Sequence, residues 1–121
     1  MFMIRPEQYA KFERHAWDDF QRRAVEHLRQ DMSSHVVEAS DEELRTRIES
    51  AIWLAGKYDL VDEQDVIGFL DAGLLLKDET FADNPKYLFI QAVLQDTDLT
   101  PEQRAEQTLT LAFQQVLISE R

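Results

Sequence analysis

The stretch Asp62-Glu63-Gln64-Asp65-Val66-Ile67-Gly68-Phe69-Leu70-Asp71-Ala72-Gly73-Leu74-Leu75-Leu76 decides the fold. Asp62, with Glu63 and Asp65 behind it, reads as a helix start. A short acidic side chain accepts from unpaired N–H groups of the first turn, and further acid there favours the helix dipole. From Val66 to Leu76 the pattern is apolar nearly all round, as in a helix covered on every side. This segment is the expected central helix. Gly68 and Gly73 sit inside it, where each costs about 1 kcal/mol against alanine. The expected compensation is a close helix crossing or room for a large neighbouring side chain, and a hinge is the competing reading.

Toward the N-terminus, Ser40 followed at three residues by Glu43 is a capping box, with Asp41 and Glu42 in the first turn. Leu44, Ile48, Ala51, Ile52 and Ala55 form the inner face of that helix. Gly56 reads as its left-handed stop, and residues 57–60 lead on to the central helix. Earlier still, Pro6 suits a first helical turn, because its missing N–H has no partner there anyway. A helix is predicted over residues 7–31, where Tyr9, Phe12, Ala16, Phe20, Ala24 and Leu28 recur at spacings of three and four. Ser33, Ser34 and His35 break that pattern, and Val36 and Val37 are expected to pack in the connection.

Toward the C-terminus, Asp83-Asn84-Pro85 opens a shorter helix through Tyr87, Leu88, Phe89, Ile90, Val93 and Leu94. Thr100-Pro101-Glu102-Gln103 combines an N-cap, a first-turn proline and a capping-box glutamine. The helix behind it carries Ala105, Leu109, Ala112, Phe113 and Val116 on one side. Amphipathic segments joined by short connections predict an all-α fold: a compact antiparallel bundle of about five helices, one domain over residues 1–121.

Charge bounds the function. The 121 residues carry 13 Lys and Arg against 24 Asp and Glu, a net charge of −11. Residues 1–35 hold six of each sign, so the whole acidic excess lies after residue 35. That balance argues against binding to nucleic acid or to an anionic membrane, both of which need a net basic face. With no cysteine there is no disulfide, thiolate nucleophile or Cys-based metal site. The first seven residues reach charge and proline before any apolar run, unlike a secretion signal. Apolar stretches such as Ala72 to Leu76 are far short of the roughly 20 residues that span a bilayer. A soluble, cytoplasmic protein is the expectation.

Chemical motifs are sparse. His15, His27 and His35 form neither a His-Glu-x-x-His nor a Glu-x-x-His spacing, so no ready-made metal face exists. His27 falls in the apolar stripe of the first helix, where it is either a half-buried histidine bonded to a neighbour or a ligand or proton relay. A calcium loop started at Asp96 puts Pro101 where glycine is required and Gln107 where glutamate is needed. The acids at 59, 62, 63, 65 and 71 lack that spacing too, and read as caps and a solvated face. No serine lies in a Gly-x-Ser-x-Gly turn, and three glycines build no phosphate loop. No enzyme is expected, and no catalytic, cofactor-binding or metal-binding residue is assigned.

Two tryptophans point elsewhere. On a helical wheel Trp53 lies roughly opposite the Leu44–Ile48–Ala55 face, so it is either covered by another helix or part of an interface. Trp17 flanks the stripe of the first helix, at the edge of a core or in contact with a partner. Arg14, Arg22, Arg23 and Arg29 read as solvated and paired with local acids, or as docking an acidic partner. Trp53, Trp17, Tyr58, Asp59, Asp62 and Glu63 are the candidate partner-binding residues.

Several segments together resemble a known family. They are Ile4-Arg5-Pro6-Glu7-Gln8, Val25-Glu26-His27-Leu28, and Tyr58-Asp59-Leu60-Val61-Asp62-Glu63-Gln64-Asp65-Val66 with Phe69 and Asp71. Phe81, Asp83, Pro85-x-Tyr87-Leu88-Phe89 and Leu94-x-Asp96-x-x-Leu99-Thr100-Pro101 continue the set. The pattern is similar to that of small helical bacterial proteins encoded beside type VI secretion effectors, near spike proteins, PAAR-repeat proteins and effector adaptor chaperones. Where relatives often show Tyr-Gly-Ile, this chain has Tyr58-Asp59-Leu60. The resemblance implies a non-enzymatic accessory factor that binds an adaptor chaperone, a toxin effector or a spike protein and helps load the toxin. The alternative from charge alone is an acidic immunity protein that fills the basic groove of a toxin such as a nuclease.

Overall fold

The computed structural model describes residues 14–119. Among them are six α-helices: α1 (Arg14–Asp31), α2 (Ser33–Val36), α3 (Asp41–Gly56), α4 (Glu63–Leu76), α5 (Leu88–Leu94) and α6 (Pro101–Ser119). Two 3₁₀ turns, Phe81–Asp83 and Pro85–Tyr87, precede α5. The expected first-turn Pro6, the helix start at Glu7 and the stripe residues Tyr9 and Phe12 lie outside the described residues, as do the side chains of Arg14 and His15.

The capping signals hold. Ser40 Oγ accepts from the Glu43 N–H while the Glu43 carboxylate accepts from the Ser40 N–H. Thr100 and Gln103 make the same reciprocal pair at the start of α6. Asp62 Oδ1 accepts from the Gln64 N–H at 3.3 Å and opens α4. Asn84 caps the 85–87 turn, so the expected fourth helix is a 3₁₀ turn followed by a two-turn α5.

α4 is the central helix. Val66, Phe69, Leu70, Ala72, Leu74 and Leu76 are all buried. It packs most extensively on α6, and also on α3. Gly68 lies at the α6 crossing, where an added Cβ would stand 3.8 Å from Ala105 Cβ. Gly73 makes the room expected of it: an added Cβ would meet Phe81 at 3.6 Å, and the Phe81 ring stacks at 4.8 Å on Phe69. Leu44, Ile48, Ala51, Ile52 and Ala55 complete the core from α3.

The expected antiparallel arrangement does not hold for every pair: α1, α4 and α6 run parallel. Arg23 and His27 of α1 meet Glu63 and Asp71 of α4 in the same order along both helices. Asp65 and Gly68 of α4 likewise lie beside Glu102 and Ala105 of α6. Both N-termini of the α4–α6 pair therefore share one end of the molecule.

Four local expectations are corrected. Gly56 is not the left-handed stop of α3: it stays helical, and the positive φ of 61° falls three residues later at Asp59. α1 stops at Asp31 as expected, but Ser33 to Val36 then form a separate single helical turn within the connection. Val36 packs in the core, but Val37 is 76% exposed because the chain turns outward there. Phe113 is also exposed, at 55%, since the buried line of α6 runs through Ala105, Thr108 and Ala112 and Phe113 lies about 100° round the helix from Ala112.

Candidate functional site

The turn between α3 and α4 is built without glycine. The Leu60 N–H donates to Ala55 O and the Asp59 N–H to Gly56 O, which closes the helix end with Asp59 in the left-handed conformation. Asp and Asn tolerate that conformation better than most residues, because a short polar side chain bonds locally. The Tyr58 carbonyl, exposed by this turn, accepts from Arg104 Nη1 at 2.7 Å, tying the turn to α6. The same guanidinium reaches Leu94 O at 3.2 Å.

Beside this turn lies an open cleft of about 530 Å³. Asp59 and Asp62 face it from the turn, Asp65 from the first turn of α4, and Thr100, Pro101 and Glu102 from the start of α6. Four carboxylates thus gather at the two helix N-termini, where the dipoles favour negative charge. Asp65 is 7% exposed, and burial raises its pKa above the ordinary value. The neighbouring charges of Asp62 and Glu102 push it further up, and Arg104 pulls it down. Burial first, then Asp83, raises the Tyr58 phenol as well.

The candidate residues divide. Asp59 and Asp62 line the cleft, and Tyr58 anchors its edge through its carbonyl. Glu63 points away, although it adjoins Asp62 in sequence. It is 8% exposed and accepts two bonds from Arg23, at 2.9 and 3.0 Å, the fork geometry that suits a guanidinium. Trp53 is 49% exposed on α3 and does not line the cleft. Trp17 packs on the core edge, its ring 6.4 Å from that of Phe20. Asp65 and Glu102 are the cleft residues that sequence reading missed, together with Arg104, which ties the turn to α6. The signal was the double N-cap, Asp62 and Thr100, which becomes one site only once α4 and α6 are known to run parallel.

His27 takes the first of its two readings. Its Nε2 lies 3.0 and 2.8 Å from the two oxygens of Asp71, and its Nδ1 lies 3.1 Å from Asp31. Both ring nitrogens are engaged, so neither is open to a substrate proton in this arrangement. Burial raises the Asp71 pKa, and the bond from His27 acts against that rise. Of the α1 arginines, Arg22 pairs locally as expected, with Asp19 and Glu26; Arg23 bonds Asp19 but also Glu63 of α4, and Arg29 reaches Asp41 of α3.

Among the described residues no group of three His, Cys, Asp or Glu side chains could hold a metal ion. No helix among them is long and apolar enough to cross a membrane. Comparison with known protein families, with curated proteins and with solved structures gives no match, so the family resemblance rests on the quoted residues alone.

Proposed function

We propose that the protein is a non-enzymatic, protein-binding accessory factor that helps load a toxin effector onto a type VI secretion spike. Its partner would be an effector adaptor chaperone, the effector itself, or a spike or PAAR-repeat protein. One observation supports this reading: two separate stretches that carry the resemblance, residues 58–66 and 94–101, converge on a single acidic cleft. A basic patch on the partner complements such a cleft, which speeds encounter and rejects acidic competitors. A chain without cysteine suits the reducing cytoplasm in which loading would occur. The four carboxylates also favour a second reading, an immunity protein that offers phosphate-like charge to the basic groove of a nuclease toxin.

Co-purification of the full chain with the products of its neighbouring genes tests the first reading. The informative variant is Asp59→Asn with Asp62→Asn, because asparagine keeps both the left-handed turn and the N-cap while removing charge. A complex that forms with the adaptor, effector or spike and weakens in this variant is the expected result. Protection of cells that express the toxin, with inhibition of its catalytic domain, would select the immunity reading instead. No complex with any of these proteins would refute both.

A further inference from the structure

A groove of about 770 Å³ lies at the opposite end of the α4–α6 pair from the acidic cleft. Its walls are apolar where Leu74, Leu76 and Val116 meet. Arg47, Lys77, Lys86 and His35 also line it, and among the described residues no carboxylate does. In a chain with 24 acidic and 13 basic residues, this reverses the overall balance. The negative dipole end of α4 accounts for Lys77, one residue past that helix. It does not account for Arg47, which comes from the middle of α3, or Lys86, from the 85–87 turn. Glu79 approaches Arg47 at 3.9 Å without lining the groove, and among the described residues no ion pair engages Lys77 or Lys86.

Tyr87 supplies a second, independent observation. It lines the groove and is only 5% exposed, and its ring is engaged by Lys86 at 5.5 Å and Phe89 at 6.4 Å. Its hydroxyl has no hydrogen-bond partner among the described residues. The phenol O–H is therefore free to donate to an acceptor oxygen delivered into the groove.

We propose that this groove binds an acidic peptide segment of a partner protein. The segment's carboxylates meet Lys77, Lys86, Arg47 and the Tyr87 hydroxyl, while its apolar side chains lie on Leu74, Leu76 and Val116. Charge complementarity selects this occupant: cations at the rim and an apolar floor match a chain that alternates acidic and apolar residues. The molecule then carries two docking surfaces of opposite sign at opposite ends of one helix pair, as a bridge between two proteins requires. The groove alone carries this inference, which stands whether or not the loading role does.

Fluorescence anisotropy of the full chain with a labelled peptide alternating glutamate and leucine tests it, at low ionic strength and beside the matching glutamine–leucine peptide. The acidic peptide should bind saturably and at least about tenfold more tightly than the glutamine peptide. Lys77→Glu with Lys86→Glu, both at exposed positions, should weaken it by a similar factor, and Tyr87→Phe by about threefold. Asp62→Asn, in the cleft at the other end, should leave it unchanged. Absence of saturable binding, equal binding of the two peptides, or indifference to the lysine reversal would overturn the proposal. So would displacement by inorganic phosphate as effective as displacement by unlabelled peptide, which would mark a small-anion site.

Discussion

Thr108 is fully buried on α6, and its hydroxyl has no hydrogen-bond partner among the described residues. Replacing it by the near-isosteric valine removes an unsatisfied polar atom, so Thr108→Val should stabilise the fold by about 1 kcal/mol. Urea unfolding checks this as a higher midpoint with an unchanged slope. Lys77 offers a second gain. It ends α4 with φ at 55°, while the Asp78 N–H donates to Gly73 O and the Lys77 N–H to Leu74 O. A left-handed residue with a Cβ costs roughly 1–2 kcal/mol, so Lys77→Gly should raise stability by about 1 kcal/mol in the same assay. At this scale the sequence was legible where a rule is local. Ser40, Asp62, Asn84 and Thr100 all cap as their neighbours foretell. The left-handed positions were not legible, because Gly56 offered a glycine near the right place while the chain closed the turn on Asp59.

Elements obey the same division. The inner face of α3 and the burial of α4 follow from periodicity, since each side chain's direction is set by its own helix. What periodicity leaves out is the neighbour. Three carboxylates of α4, Glu63, Asp65 and Asp71, are buried at 7–8% exposure, and each is accommodated by an arginine or histidine from another helix. Arg23 and His27 of α1 bond two of them, and Arg104 of α6 acts on the third through space. Phe113 shows the converse, an apolar residue at the edge of the predicted face that turns away from the buried line of Ala105, Thr108 and Ala112. The α4–α6 crossing itself is testable at Gly68. Ordinary contact at 3.8 Å leaves space for a methyl group, so Gly68→Ala should gain up to about 1 kcal/mol from helix propensity. Gly68→Leu should instead lose about 1–3 kcal/mol by forcing the helices apart. Thermal melting of both variants gives the two signs, and a leucine variant as stable as wild type would mean that the helices do not cross closely there.

At the scale of the whole molecule, the charge of −11 is not a uniform coat. Acid gathers where α4 and α6 begin and base where they end, in the sense that complements the parallel dipoles of the pair. Asp65 carries the cost of the acidic end. Its folded pKa lies above the unfolded value, so its contribution to stability is fully present below the unfolded pKa and is lost as pH rises through the folded one. Asp65→Asn should therefore be more stable than wild type at neutral pH, and the difference should close as pH falls through the carboxylate range. Parallel melts across that range read this directly.

The acidic cleft is the surface proposed to dock a protein partner. Titration calorimetry of the full chain against each purified neighbouring gene product, wild type beside the Asp59→Asn and Asp62→Asn double variant, tests it most directly. The expected result is one saturable partner, bound at least several-fold more weakly by the double variant at unchanged melting temperature, with wild-type affinity falling as salt rises. A partner bound equally well by both proteins, or none at all, would contradict the claim.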